Sequence, residues 1–124
     1  YNYEVKDTLR YTMMTTPNDY VQNIKNANNI FRNNHCVITK CRNYWLDNKN
    51  PYNGVNTLIQ DSKGNKFEVQ YHTKESFEIK QQTHELYEKQ RVLEEDSREY
   101  LSLKKQMYEI NSKIKIPKDI QEVK

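Results

Sequence analysis

The sequence predicts an α+β domain, a small mixed β-sheet with packed helices followed by two C-terminal helices. Three observations carry that prediction. Phe67-Glu68-Val69-Gln70-Tyr71-His72-Thr73 alternates apolar and polar residues with period two, the pattern of a strand that buries one face. Val55 to Ile59 reads as its hairpin partner, with Asp61-Ser62-Lys63-Gly64-Asn65 supplying the turn. From Thr73 onward the apolar spacing becomes helical almost to the end.

The elements follow in order. Thr8 to Thr15 is β-branched and aromatic enough for a first strand. Thr16-Pro17-Asn18-Asp19 reads as a helix start, a cap candidate with Pro in the first turn. Tyr20, Ile24, Ala27 and Phe31 then fall on one helical face, and because the intervening asparagines are poor helix formers, packing must hold this helix. His35 to Arg42 is a second strand, and Asn43 to Gly54 a loop carrying Tyr44, Trp45 and Tyr52. After the hairpin, Phe77, His84, Tyr87 and Arg91 share a face of one helix, and His84 reads as a packing histidine. Tyr100, Leu103, Met107, Ile110 and Ile114 form the seam of the next. Pro117 stops it, so the expected organisation is one domain over residues 1–116 and a loose tail over 117–124.

Composition narrows the function classes. Among 124 residues only 35% are hydrophobic, so the core is thin, and ten tyrosines must contribute to burial. The net charge of +3 comes from 20 basic and 17 acidic residues spread along the chain, too even a mixture for a nucleic-acid coat. Cys36 and Cys41, an odd number of positions apart on one strand, point to opposite faces, which suits a reducing compartment better than a disulfide. No apolar run approaches the roughly 18 residues a bilayer span needs, and no signal-peptide pattern opens the chain, so no membrane is expected. The start at Tyr1, without Met, reads as a piece of something longer. Glycine-rich phosphate loops, structural-zinc spacings and Ser or Cys nucleophile motifs are absent from the sequence.

The candidate chemistry lies on the polar face of the Phe67–Thr73 strand. Glu68, Gln70 and His72 line that face, and Asp7 opens the first strand. If those two strands are neighbours, the two carboxylates could hold Mg²⁺ and its bound phosphates, although 17 acidic residues also supply accidental pairs. Lys40, Arg42 and Lys49 flank the aromatic loop; cations there suit phosphates, and an exposed Tyr52 ring suits stacking on a base, while the same rings could equally cap the core. His72 fits a phosphate or hydrogen-bonding donor, or a surface residue.

In order, Asp7-Thr8-Leu9-Arg10-Tyr11-Thr12, Lys40-Cys41-Arg42-Asn43-Tyr44-Trp45, Tyr52-Asn53-Gly54-Val55-Asn56 and Phe67-Glu68-Val69-Gln70-Tyr71-His72-Thr73 resemble the motifs of the RelA/SpoT-like synthetase domain. Lys80, His84, Tyr87 and Arg91 look like the following helix in the subgroup of phage head-associated proteins and polymorphic toxins. The resemblance spans about Asp7 to Arg91. It implies a nucleotidyltransferase-like fold and a pyrophosphokinase that moves pyrophosphate from ATP to the 3′-hydroxyl of an acceptor. Asp7 would be the Mg²⁺ ligand and Glu68 the second carboxylate, holding metal or activating the attacking hydroxyl. Tyr52 would stack on the acceptor base, Gln70 and Asn56 would lie beside the acceptor, and Lys40, Arg42 and Arg10 would lie near phosphates.

Where the family usually has Arg this chain has His72, and where it has His this chain has Asn56. The resemblance therefore leaves the acceptor open among GDP or GTP, adenine nucleotides and the 3′ end of tRNA. The family's basic ATP-binding segment lies upstream of the Asp7 position, where six residues stand here. The resemblance further implies action in the cytoplasm, delivery as part of a larger phage-associated or exported protein, and an immunity or antitoxin partner. A catalytically inert binding or structural module with the same fold, or an RNA-binding module using the basic and aromatic loop, are the other readings.

Overall fold

The computed structural model describes residues 9–47 and 51–124. The elements run β1 (Leu9–Met14), α1 (Tyr20–Asn33), β2 (Val37–Asn43), a 3₁₀ turn (Tyr44–Leu46), β3 (Val55–Gln60), β4 (Lys66–His72), α2 (Lys74–Gln90), α3 (Arg98–Ser112) and a second 3₁₀ turn (Ile120–Glu122). This is the predicted α+β order. The sheet is mixed, in the order β1-β4-β3-β2, with β1 parallel to β4 and the other pairs antiparallel.

Period-two patterning sorts the strands into two faces. Val55, Ile59, Val69 and Tyr71 turn inward against Tyr20, Val21, Ile24 and Ala27 of α1, and together they make the core. Such burial, at about 25 cal/mol per Å² of apolar area, holds a helix whose asparagines would not sustain it alone. The β3–β4 turn closes on Asp61, whose Oδ1 accepts from the backbone N–H groups of Lys63 and Asn65, each at 2.9 Å. Gly64 takes φ +86° there, a conformation open to glycine at no steric cost.

On the opposite face lie α2 and α3, joined as an antiparallel pair. Thr73 and Ser76 close a reciprocal capping box at the start of α2: Ser76 N–H donates to Thr73 Oγ1 at 3.0 Å, and Thr73 N–H donates to Ser76 Oγ at 2.9 Å. Ser97 caps α3 by accepting from Tyr100 N–H at 3.2 Å. Met107 and Asn111 of α3 are buried, and Asn111 Oδ1 accepts from Asn53 Nδ2 at 3.1 Å, which ties the aromatic loop to this helix. Among the described residues no helix is long and apolar enough to cross a membrane.

Several expectations are corrected. Residues 117–124 are not a loose tail: Ile120 and Val123 join the core, and their carbonyls accept from Asn43 Nδ2, each at 2.9 Å. Two apolar side chains after Pro117 had a hydrophobic surface to meet, the core cluster that α1 builds with the sheet. The first helix starts at Tyr20 with Asp19 in the cap position, so Pro17 precedes it, held in a turn in which Thr16 accepts Asp19 N–H. His35 adopts φ 64° in the turn after α1, and the second strand begins at Val37. Cys36 therefore precedes β2; both cysteines are free. His84 is exposed, not packed.

Candidate functional site

Cross-strand register places the predicted residues on one face of the sheet. Lys40 pairs with Leu58, Leu58 with Glu68, and Glu68 with Arg10, so these four form one row across β2, β3, β4 and β1. Arg42, Asn56, Gln70 and Thr12 form the next row. Strands lie about 4.8 Å apart, so Lys40 and Glu68 are separated by roughly 10 Å of backbone, a span of polyphosphate size. The strand predicted to carry Asp7 is the parallel neighbour of the Glu68 strand; Asp7 itself, like Lys49, lies outside the described residues.

Glu68 sits at the centre of a chain of alternating polarity. Arg10 Nη2 is 3.3 Å from Glu68 Oε2, and Gln70 Nε2 donates to Glu68 Oε1 at 3.2 Å. Lys80 Nζ, reaching from α2, donates to Gln70 Oε1 at 3.0 Å. Burial, then the neighbouring Arg10 charge, pulls the Lys80 ammonium below its ordinary range. Gln70 is buried whereas the Glu68 side chain keeps 23% exposure, so the carboxylate is reachable from solvent with its orientation fixed from below. Arg10, Lys80 and Arg42 outnumber the carboxylates beside them, Glu68 and the Asp47 that pairs with Arg42, which leaves a face of net positive charge suited to phosphates.

The aromatic loop supplies the second part. Tyr52 is half-buried, not on an open turn; its hydroxyl donates to Asn56 Oδ1 at 2.9 Å and lies 2.9 Å from His72 Nε2. The Tyr44 ring meets it edge-on at 5.0 Å, and Arg42 stacks over Tyr44 at 4.8 Å while pairing with Asp47 at 3.6 Å. Burial raises the Tyr52 hydroxyl pKa, so it stays protonated. His72 is fully buried, which corrects both the surface and the phosphate-donor readings: its Nδ1 lies 2.8 Å from Ser76 Oγ, and its other nitrogen faces Tyr52. Burial, then the Lys80 charge, pushes it down to about 4 and keeps it neutral. The sequence pattern put His72 on the polar face correctly but could not show that α2 covers that end of the strand.

Gly54 makes the arrangement sterically possible. A Cβ there would lie 2.7 Å from the Tyr52 hydroxyl and 2.9 Å from His72 Cε1. Gly54→Ala is expected to push Tyr52 off Asn56 and His72 and to cost about 1–3 kcal/mol. Thermal unfolding measures the loss; an unchanged melting temperature would mean that the ring yields freely.

Lys80 and Ser76 had no site role from sequence. The signal was present: Ser76 is the third residue after the Thr73 cap, and Lys80 lies one turn beyond it on the same helix face. Lys40 is on the row with Glu68 but also lines a groove of about 480 Å³ between α1 and β2 with Lys25 and Arg32. A second groove, about 780 Å³, runs beside β1 on the α1 side.

No family model matches the sequence, and no curated protein matches it. Solved structures do. The small alarmone synthetase 1 of Bacillus subtilis, bound to its product pppGpp, superposes with a TM-score of 0.57 at 15% identity over 82% of this chain and 53% of its own. Small alarmone synthetase 2 of the same organism gives 0.59 at 16% over 82% and 55%. The Type VI effector Tas1, crystallised with its immunity protein, gives 0.56 at 18% over 90% and 71%. The chain thus spans a little over half the length of the Bacillus synthetases. At these identities the likeness speaks to architecture alone, and the architecture of this chain is that of the small alarmone synthetases.

Proposed function

We propose that the Glu68 face is the centre of a pyrophosphokinase, which transfers pyrophosphate from ATP to the 3′-hydroxyl of an acceptor nucleotide, GDP or GTP, an adenine nucleotide, or a tRNA 3′ end. The observation that supports this most is the shared face: Glu68, Arg10, Gln70, Asn56 and Arg42 meet in adjacent rows under Tyr52, on a synthetase-like fold.

In the reaction the acceptor 3′-oxygen bonds to the β-phosphorus of ATP, the bond from that phosphorus to the α–β bridging oxygen breaks, and AMP leaves. The acceptor's hydroxyl proton goes to Glu68, directly or through water. Arg10, Lys40 and Arg42 neutralise the phosphate charge that would repel the attacking oxygen, and Tyr52 holds the acceptor base. Mg²⁺, when bound, would supply positive charge that offsets the charge of the phosphates. Among the described residues no group of three or more His, Cys, Asp or Glu could hold a metal. A magnesium ion that keeps waters and substrate phosphates needs only one or two carboxylates, so Glu68 with Asp7 fits by donor chemistry.

Tas1 with its immunity protein supports a toxin reading, in which a domain carried by a phage-associated or exported protein acts in a recipient cytoplasm and is held in check by an immunity or antitoxin partner. The test offers labelled ATP and Mg²⁺ with GDP, GTP, ADP, AMP or tRNA, to this chain and to a longer form with its upstream residues. Labelled acceptor is the expected product. Tyr52→Ala is expected to raise the acceptor KM by about tenfold to hundredfold, the loss of one stacked base, with the ATP KM unchanged. No product from either form would leave a catalytically inert binding module, and salt-sensitive RNA binding without turnover would leave an RNA-binding module.

A further inference from the structure

We propose that His72 is a positioning residue: touching no nucleotide itself, it locks Tyr52 and Asn56 into a rigid acceptor platform through a hydrogen-bonded string anchored in the cap of α2. The proposal rests on the reading of Tyr52 as the base platform.

Proton bookkeeping orders the string. Tyr52 has one hydroxyl proton, and it goes to Asn56 Oδ1 at 2.9 Å. The Tyr52 oxygen must then accept from His72, so the Nε2 of His72, 2.9 Å away, carries the ring proton. His72 Nδ1 is left bare and accepts from the Ser76 hydroxyl at 2.8 Å. Ser76 Oγ is itself fixed, accepting Thr73 N–H at 2.9 Å within the capping box. Every group in the string is engaged; the Ser76 hydroxyl, whose one proton can also reach the Thr73 carbonyl at 3.1 Å, is the member with two acceptors, and the Tyr52 proton on Asn56 is what directs it to His72.

Ring contacts fix the remaining freedom. Tyr52 and His72 meet edge to face at 5.5 Å and 85°, and His72 meets Phe77 at 5.9 Å on its other flank. The space for this packing is the missing Cβ of Gly54. A loop tyrosine free to turn would be ordered only on binding, at a cost in affinity; one held by the α2 cap is ordered beforehand. Because His72 is 0% exposed with both nitrogens engaged, its effect on the acceptor passes through Tyr52 and Asn56.

Steady-state kinetics on His72→Phe, His72→Gln, Tyr52→Phe and the His72→Phe/Tyr52→Phe double variant test this. His72→Phe and Tyr52→Phe are each expected to raise the acceptor KM about tenfold, the loss of one buried hydrogen bond, with kcat and the ATP KM within about twofold. The double variant is expected to be no worse than either single one, and His72→Gln, which can still donate to Tyr52, to recover most of the loss. An unchanged KM with only a lower melting temperature would overturn the proposal, as would a kcat loss matching the KM change or additive single effects. If the wild type turns over no acceptor, the base-platform reading fails, and ¹⁵N spectra of the His72 ring decide the positioning separately. One static tautomer, protonated at Nε2 and altered in Tyr52→Phe, supports the string; averaged tautomers overturn it.

Discussion

Glu68→Gln is expected to lower kcat for pyrophosphate transfer by about a thousandfold or more while the protein stays folded. A glutamine has nearly the same shape, and its carbonyl oxygen can still accept the 3.2 Å hydrogen bond from Gln70. What it loses is charge and basicity. A positioned proton acceptor is worth about 10²–10⁴ in rate, and removing a carboxylate also weakens any Mg²⁺ held there. A thousandfold loss corresponds to about 4 kcal/mol of transition-state stabilisation at about 1.36 kcal/mol per tenfold. Folding should barely register the change: the paired Arg10 side chain is 59% exposed, and such a surface ion pair contributes about 0–1 kcal/mol. The decisive comparison is single-turnover transfer beside a thermal melt. Turnover within tenfold of wild type would remove Glu68 from the chemistry. Lost turnover with a melting temperature lowered by ten degrees would make it a structural residue.

The face that carries Glu68 was legible in the sequence because a strand's side-chain period is two, so alternation in Phe67–His72 assigns each residue to a side. The hairpin was legible for the same reason, with Asp61 and Gly64 marking its turn. The parallel pairing of β1 with β4, which brings Arg10 to Glu68, is a contact 58 residues apart, and no local pattern encodes which strands become neighbours. Burial on the polar side was equally hidden. Nothing near His72 in sequence tells whether a helix will lie over it, and Ser76 and Phe77 close it off only once α2 has docked. Tyr52 was misjudged in the same way: a tyrosine beside Asn53 and Gly54 has the look of an exposed turn until His72 and Asn56 are brought beneath it. The segment after Pro117 shows the converse error. Its short length and polar composition outweighed two apolar residues, Ile120 and Val123, that find a surface on α1.

Removing one oxygen on the other side of the sheet should unfold the protein more readily than any change on the polar face. The Tyr20 hydroxyl lies in the core, fully buried, where it donates to the Tyr71 carbonyl and accepts from Trp45 Nε1 at 3.0 Å and from Val55 N–H at 3.2 Å. Burial raises its pKa far above the usual tyrosine value, so it stays a neutral donor. Tyr20→Phe keeps the ring and its packing against Trp45 but leaves the Val55 N–H, the Trp45 N–H and the Tyr71 carbonyl without that partner. A stranded buried polar group costs about 1–3 kcal/mol, and with some relaxation the sum should be about 3 kcal/mol. For a domain of this size that is a fall of about 10 °C in melting temperature. Val55 and Tyr71 pair with each other and stand next to Asn56 and His72, so the same oxygen steadies the strands that carry the acceptor platform. Amide exchange at Val55 should accelerate by more than the global loss of stability accounts for, and acceptor binding well below the melting temperature should weaken only modestly. A loss under about 1 kcal/mol would show that the three groups find new partners, and the hydroxyl would then be a passenger of the core rather than the knot between α1, the aromatic loop and the two central strands.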